Sequence, residues 1–361
     1  MQAPTIQAVA TEPKPFGAST LSELASWEGP CLTLLIPGST RGDSAENSAS
    51  ILHSEVHLAP AHVGTHDFVR PLEEFAEQFG NTDEHSGIAL FRSPGHFAAI
   101  SAPSVAEEVV VCGDYCFLAP LVTVASMPQE FLILLLNHRS PGLFRYFHGH
   151  CAAVEIPVAL PPSTEVRHTV RVFQQTWEGR DNGTQDHKIT REEILVQYFR
   201  TLDRGLRDVL PVMPVLLAGP REDVASFRRE SRNLQLLDAE IEGDVEELLP
   251  DDLAGLGAQA SLLHYRRLGQ AVLTKHRHMT ERRRALSDPG AIIAAAKRGQ
   301  VYQLCALEPG NAGGGRNGSP RREQDMANRA IVETLRHGGQ VFMLPEPTMA
   351  LESHMAAILK R

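Results

Sequence analysis

The sequence predicts an α/β protein organised in three domains. Short apolar strands alternate with amphipathic helices along the chain, and 361 residues exceed one ordinary domain of about 150 residues. Hydrophobic residues make up 42% and charged residues 22% of the chain, which excludes a disordered or collagen-like protein. The predicted divisions are a mobile tail over 1–17, an acidic N-terminal α/β domain over 18–120, a middle domain over 121–240 and a C-terminal α/β domain over 241–361.

The N-terminal domain is predicted to begin with a helix capped by Ser19. The apolar run 31–36 ends at Pro37-Gly38, which is typical of a strand. The other predicted elements are a helix over much of 44–79, a strand over 87–91, and a hairpin that leads from Val109 through Gly113-Asp114 to Phe117-Leu118.

The middle domain contains the strongest helix signal in the chain. Thr190 and Glu193 form a capping box, and the apolar residues that follow recur at helical spacing from Leu195 to Val209. The predicted strands of this domain cover 131–137, 143–147, 152–156, 166–175 and 215–219.

The C-terminal domain is predicted to open with a long helix over 251–284, whose second half is basic from Arg266 onwards. That basic face is either a solvated surface or a phosphate contact. The remaining predicted elements are helices over 290–297 and 325–337 and strands over 301–306, 340–344 and 356–359.

The excess negative charge lies in the first third of the chain. Residues 1–120 contain 4 Lys and Arg against 15 Asp and Glu, whereas the rest of the chain is nearly balanced. Such a chain does not hold nucleic acid by bulk electrostatics, so an RNA partner would have to meet local basic surfaces in the last two thirds.

The cysteine count and the hydropathy predict a cytoplasmic protein. Five cysteines in 361 residues argue against a disulfide framework and for reduced thiols. The N-terminus lacks the charged and apolar regions of a signal peptide. The longest apolar run, 131–136, is far shorter than the roughly 18 residues that span a bilayer, so no membrane partner is expected.

Two segments suggest a loop that hydrolyses an ester. Gly338-Gly339-Gln340 is the tripeptide of peptide-chain release factors, but it follows an amphipathic helix and leads into an apolar strand, so a glycine helix stop explains it. The loop 178–188 is polar and lies between a strand and a capped helix. Its glycines would let backbone N–H groups approach an ester carbonyl. A solvated connection is the alternative, and spacing alone leaves both interpretations open.

Two other clusters resemble parts of metal sites. Cys112 and Cys116 have the spacing of half a zinc site, but no second pair follows at a suitable distance, and Gly113-Asp114 favours a hairpin turn. The segment His148-Gly149-His150-Cys151 has no nearby carboxylate. We therefore predict no metal and no cofactor.

Whole segments of the chain resemble the bacterial archaeo-eukaryotic release factor family, whose members are homologues of the eukaryotic peptide-chain release factor and Pelota. Each pattern is modest alone, but their order along residues 19–361 is specific. The segments that carry the resemblance are 29–37 (GPCLTLLIP), 87–91 with Ser93-Pro94-Gly95, 107–120 (EEVVVCGDYCFLAP), 198–206 (YFRTLDRGL), 216–219 (LLAG) and 332–345.

The resemblance implies a specific role for the middle domain. That domain would be RNase H-like and carry the release loop, and the last domain would resemble kink-turn-binding ribosomal proteins. The family's release tripeptide then corresponds to Gly183, Thr184 and Gln185 in the loop 178–188, with Thr184 in place of the middle glycine.

Three functional hypotheses fit these residues. In the first, a monomer enters the ribosomal A site, with or without a translational GTPase, and hydrolyses peptidyl-tRNA while Gln185 orients water. The side chains expected to contact RNA are Arg180, Lys188, Arg191, Arg200 and Arg204. In the second, the protein occupies the same site without chemistry, as a hibernation or quality-control factor, because Thr184 adds a Cβ where close approach is needed. In the third, the fold serves a protein-interaction scaffold or a small-molecule enzyme, since fold does not fix function.

Overall fold

The computed structural model describes residues 16–36, 87–101, 109–136, 141–155, 191–207, 213–232, 234–245, 248–308, 319–346, 348 and 354–361. Its strands are β1 (Cys31–Ile36), β2 (Ile88–Ser93), β3 (His96–Ser101), β4 (Val109–Gly113), β5 (Glu130–Leu135), β6 (Gly142–Phe147), β7 (His150–Ala153), β8 (Val215–Gly219), β9 (Leu236–Glu242), β10 (Ala285–Leu286), β11 (Val301–Leu307), β12 (Gln340–Leu344) and β13 (Met355–Leu359). Its helices are α1 (Ala18–Ser26), α2 (Val122–Ser126), α3 (Arg191–Arg207), α4 (Arg221–Glu230), α5 (Pro250–Thr280), α6 (Pro289–Lys297) and α7 (Ser319–Arg336), with a 3₁₀ turn at Ala119–Leu121. The predicted α/β class is confirmed.

The chain divides into two compact units. The first unit comprises Met1–Ser126 and Leu268–Arg361, and the second comprises Met127–Arg267. The three domains predicted from the sequence, with boundaries after residues 120 and 240, stay a prediction, as do the RNase H-like and kink-turn-binding resemblances of the last two.

The second unit is built on a mixed five-stranded sheet with the order β7-β6-β5-β8-β9. The pairs β5–β8 and β8–β9 are parallel, and β5–β6 and β6–β7 are antiparallel. All five residues of β8 are buried, because helices cover both faces of this part of the sheet. Burial on both faces explains why β5 and β8 are nearly continuous apolar runs in the sequence.

Each face of this sheet has its own apolar core. On one face, α3 and α4 pack on β5 and β8 through side chains such as Phe199, Leu202 and Phe227. On the other face, the first part of α5 packs on the sheet with Leu253 and Ala260. The apolar stripe predicted for the helix after Thr190 is therefore confirmed from Leu195 to Leu206, whereas Val209 lies outside the described residues. The stripe determines which side of α3 remains exposed.

The first unit contains two four-stranded sheets. One has the order β3-β2-β1-β4 with antiparallel neighbours, and the other has the order β10-β13-β11-β12, in which only β11 and β12 are parallel. Helix α7 packs against α1 and α6. Every residue of β1 is buried, in keeping with its central position in the first sheet.

The hairpin predicted through Gly113-Asp114 is wrong. Strand β4 pairs with β1, and the residues that follow it form no strand. Thr33 Oγ1 accepts the backbone N–H of Phe117 at 3.0 Å, and Asn328 Oδ1 accepts that of Leu118 at 2.9 Å. Side chains thus satisfy the backbone groups that a second hairpin strand would have paired.

The expectation of fully reduced cysteines is also wrong in this structure. Cys31 and Cys116 form a disulfide, while the other three cysteines are free. The pairing of β4 with β1 brings the two Cα atoms to 5.0 Å, which lies within the range that a disulfide spans. Cys116 is therefore bonded to a residue 85 positions earlier and not to Cys112 or a metal.

Other sequence predictions have mixed outcomes. The helix over 44–79 and the strand over 166–175 lie outside the described residues. The predicted strand at 356–359 and helix at 290–297 are confirmed, each beginning one residue earlier. Strands β3, β9 and β10 and helices α2 and α4 were not predicted. Among the described helices, none has both the length and the apolar composition needed to cross a membrane.

Candidate functional site

The candidate site comprises the predicted release loop and the exposed side of α3, the helix that follows this loop in the sequence. The loop itself lies outside the described residues, together with Arg180, Gly183, Thr184, Gln185 and Lys188. Arg191 begins α3, and its side chain also lies outside them. The described side chains of the site therefore begin at Leu195, in the second turn of the helix.

The buried side of α3 anchors the helix to the second unit. Tyr198, Phe199 and Leu202 lie in the core between α3 and the sheet. Burial raises the pKa of Tyr198 to about 12, and the nearby Asp223 carboxylate adds to this effect. Tyr198 is therefore a neutral packing residue near pH 7, and the chemistry of α3 belongs to its exposed side.

Arg200 and Arg204 lie one helical turn apart on that exposed side. Arg200 donates from Nε to Glu230 Oε2 at 2.8 Å, although 61% of its side chain remains exposed. Arg204 is exposed and has no hydrogen bond or ion pair with a described residue. The two predicted RNA contacts are thus unequal, because a phosphate at Arg200 would compete with Glu230.

A second carboxylate connects α3 to the end of α4. Asp203 is buried and accepts a hydrogen bond of 2.6 Å from Ser231 Oγ. The backbone N–H of Arg232 also donates to Asp203 Oδ2 at 3.4 Å, so these polar contacts of α3 all reach the same end of α4. The sequence analysis missed these partners, since neither local spacing nor charge pattern links positions about 30 residues apart.

The tripeptide at 338–340 ends a helix, as the sequence predicts. Helix α7 stops at Arg336, Gly338 has a φ of 71°, and both glycine N–H groups donate to carbonyls of the last helical turn. A Cβ on Gly339 would lie 2.6 Å from Thr334 Cγ2. Gln340 begins β12. The tripeptide is therefore a structural junction of α7 and β12, in which Gly339 is buried while Gly338 and Gln340 are exposed.

The histidine-rich segment forms a tight hairpin turn. His148 and Gly149 have φ angles of 46° and 86°, and they join the antiparallel strands β6 and β7. Positive φ at both central residues is the requirement of a type I′ turn. Within the described ranges, no group of three or more His, Cys, Asp or Glu side chains is close enough to hold a metal ion.

Comparison with known proteins supports the family that the sequence resembles. Residues 130–300 match the model of bacterial archaeo-eukaryotic release factor family 3. The resemblance to bacterial archaeo-eukaryotic release factors is confirmed. This release-factor segment, residues 130–300, contains the predicted loop 178–188 and all of α3, whereas the tripeptide at 338–340 lies outside it. No curated protein matches the chain.

Several solved structures of release-factor-like proteins also match. The archaeal translation termination factor aRF1 has 13% identity and a TM-score of 0.26, with 96% of this chain and 99% of that chain covered. Pelota from Archaeoglobus fulgidus has 9% identity and a TM-score of 0.38, with 96% and 93% covered. Dom34 from Saccharomyces cerevisiae has 9% identity and a TM-score of 0.33, with the same coverage.

Proposed function

We propose that this protein binds the ribosome at the A site and acts there in peptide release, in rescue or in hibernation. The match of residues 130–300 to the release-factor family carries this proposal. In the sequence, the loop 178–188 directly precedes α3, a helix anchored by both an apolar core and Asp203. A firmly held helix is a suitable support for a loop that has to reach a distant ester bond.

In the catalytic form of the proposal, Gly183, Thr184 and Gln185 approach the ester between peptide and tRNA. Gln185 orients a water molecule, and backbone N–H groups of the loop stabilise the negative charge on the carbonyl oxygen. Water adds to the carbonyl carbon and the bond to the tRNA oxygen breaks, which gives a peptide carboxylate and a tRNA 3′-hydroxyl. Arg204 and the basic loop residues would hold the surrounding RNA by its phosphates.

The partners follow from the same resemblance. Solved structures that match this chain include archaeal Pelota bound to the ribosome with ABCE1, and Dom34, which interacts with Hbs1. We extend this pattern to the present chain: a cytoplasmic monomer that contacts ribosomal RNA and peptidyl-tRNA, with a translational GTPase as a second partner.

A non-catalytic role at the same site is the second candidate, and Thr184 favours it. A β-branched residue is stiffer than glycine and adds atoms where the loop would approach the ester. In this form the protein occupies the A site of an idle or stalled ribosome and excludes tRNA, while the nascent peptide remains attached.

Sedimentation with ribosomes through a sucrose cushion tests ribosome binding, which both candidate functions require. The full chain is expected to pellet with ribosomes at low and at physiological salt. Absence of binding at both salts, with idle ribosomes and with ribosomes that carry P-site tRNA, would overturn the proposal and favour a scaffold or a small-molecule enzyme.

A peptide-release assay then separates the two candidates. With peptidyl-tRNA in the P site, the wild-type chain is expected to release peptide, and Gln185→Ala is expected to lower the rate at least 10-fold, since one oriented group contributes about 10²–10⁴-fold. Gln340→Ala is the matched control, because it alters the glutamine of a similar tripeptide at a structural position. Stable binding without release by the wild type would establish the non-catalytic role instead.

A further inference from the structure

We propose that the first unit binds single-stranded nucleic acid on a surface centred on Tyr302. This Tyr302 surface consists of Lys275, Arg284, Tyr302, Lys360 and Arg361. It goes beyond the proposed function, because it lies in the unit that does not contain the loop 178–188. Residues from α5, β11 and the end of β13 meet here around an open cavity of about 410 Å³.

The charge of this surface is the first argument. Four cationic side chains line the cavity, and no described acidic side chain does. None of the four forms an ion pair with a described carboxylate. In a chain with a net charge of −10, a concentration of unpaired cations indicates an anionic ligand.

The neutral partners of these cations hold them in place without neutralising them. Lys275 Nζ donates to Gln303 Oε1 at 3.2 Å, and Arg284 Nη2 donates to the carbonyl of Leu359 at 3.2 Å. Lys360 Nζ donates to the carbonyl of His337 at 3.0 Å. Each cation keeps further N–H donors that a phosphate oxygen can accept.

The exposed ring of Tyr302 is the second argument, and it identifies the kind of anion. Tyr302 projects from β11 with 44% of its surface exposed, whereas most large apolar side chains of this unit are buried. Lys275 Nζ lies 5.3 Å from the centre of the ring. An exposed aromatic ring beside several cations can stack one unpaired base while the cations hold the neighbouring phosphates.

Alternative anionic ligands use only part of this surface. An acidic peptide would pair with the cations, but its carboxylate side chains offer no aromatic ring to stack on Tyr302. A double helix would present its phosphates while keeping its bases stacked inside. Single-stranded nucleic acid uses both the charge and the ring, and RNA and DNA share this chemistry.

Fluorescence anisotropy with the full chain tests the proposal. The probes are a fluorescein-labelled ten-residue oligouridylate and the corresponding oligodeoxyuridylate, each measured at several salt concentrations. Binding is expected at low salt and is expected to weaken as salt rises. Comparable affinity for both probes indicates recognition by charge and stacking, and tighter binding of the oligouridylate indicates a contact with the 2′-hydroxyl.

Paired variants separate stacking from charge. Tyr302→Ala is expected to weaken binding about tenfold, whereas Tyr302→Phe keeps the ring and is expected to bind within about twofold of wild type. Lys360→Gln is expected to reduce the slope of log affinity against log salt by about 0.7, the value for one phosphate contact on a single strand. Arg221→Gln, which removes an 84% exposed arginine from the second unit, is the control and leaves the slope unchanged.

Three outcomes would overturn the proposal: no binding at low salt, equal affinity of Tyr302→Ala and wild type, or full displacement of the probe by polyglutamate at equal charge concentration. Lys360→Gln keeps the test valid if Tyr302→Ala fails to fold, because an unchanged salt slope in that variant would also overturn the proposal. The result is independent of the proposed function, because the assay contains no ribosome and Gln185→Ala is expected to bind these probes like wild type.

Discussion

Asn328 is a single buried side chain that joins distant parts of the sequence. Its Oδ1 accepts the backbone N–H groups of Leu118 and Ala119 at 2.9 and 3.3 Å, and its Nδ2 donates to the carbonyl of Cys116 at 3.0 Å. The side chain therefore satisfies three backbone groups about 210 positions away. It replaces the strand pairing that the sequence predicted for this segment.

Replacing Asn328 is expected to destabilise the first unit. Asn328→Ala would leave buried N–H and C=O groups without partners, so we expect a loss of about 2–4 kcal/mol in the free energy of unfolding. Urea unfolding followed by circular dichroism measures the loss. Met326→Ala, at a 37% exposed position on the same helix, is the control and should change stability by less than about 0.5 kcal/mol. Equal stability of the two variants would contradict the structural role of Asn328.

At the scale of elements, His264 joins α5 to strand β9. The backbone N–H of Asp238 donates to His264 Nδ1 at 2.8 Å, which requires that this nitrogen carry no proton. Burial lowers the pKa of His264 below its ordinary 6.5; the Asp238 carboxylate opposes this shift and Arg267 reinforces it. The contact between the two elements is therefore a neutral hydrogen bond at pH 7.

This lowered pKa predicts that acid weakens the second unit. The unfolded chain takes up a proton at His264 as pH falls through about 6.5, whereas the folded chain does so only at lower pH. The stabilisation is thus present above about pH 6.5 and is lost as pH falls towards the pKa of the folded state. NMR titration of the His264 ring should give a midpoint below 6.5, and His264→Gln should lose less stability than wild type between pH 7.5 and 5.5. His278→Gln, at an exposed position on α5, is the control and should retain the wild-type loss. A midpoint at or above 6.5 would refute the prediction.

At the scale of the whole molecule, one disulfide joins the ends of a long segment of the first unit into a covalent loop. The bond between Cys31 and Cys116 encloses 85 positions of sequence, including the whole of β2, β3 and β4. Closing a loop of this length removes conformational entropy from the unfolded chain worth about 4.5 kcal/mol in the chain-entropy model. The stability of the acidic first third therefore depends on redox conditions.

Reduction is expected to lower the thermal stability of the protein. Wild type should unfold at a lower temperature with dithiothreitol than without it, and Cys31→Ser should unfold at the same temperature in both conditions. Alkylation of the unfolded, unreduced chain should label three of the five cysteines, as counted by mass spectrometry. Five labelled cysteines would show that the bond does not form.

The sequence predicts those elements whose burial imposes a simple pattern. Strands β1 and β8 are buried on both faces and appear as short apolar runs, and α3 has a clear apolar stripe. Helix α4 was not predicted because only Val224 and Phe227 of its ten residues are buried. Two buried residues are too few to produce a recognisable helical spacing of apolar residues in the sequence. The wrong hairpin at Gly113-Asp114 has a different cause, since a helix about 210 positions later provides its hydrogen-bond partners.

The candidate sites also differ in how far the sequence alone predicts them. The loop 178–188 is predicted from the resemblance, and the match of residues 130–300 supports the family without testing the roles of its residues. The contact between Arg200 and Glu230 depends on how α3 and α4 pack, which no local pattern encodes. The basic half of α5 is visible in the sequence, but its meeting with Tyr302 and Lys360 requires the sheet that places them side by side.

The helix end at Gly338 and Gly339 shows that a release tripeptide needs free backbone N–H donors as well as the right amino-acid sequence. Stabilising an ester oxyanion requires N–H groups that are free to donate to a substrate. At this position both glycine N–H groups already donate to Leu335 and Thr334, so the same three letters provide no donor for an incoming ester. In this chain, the hydrogen bonds of the two glycine N–H groups therefore distinguish a helix end from a hydrolytic loop where the tripeptide itself does not.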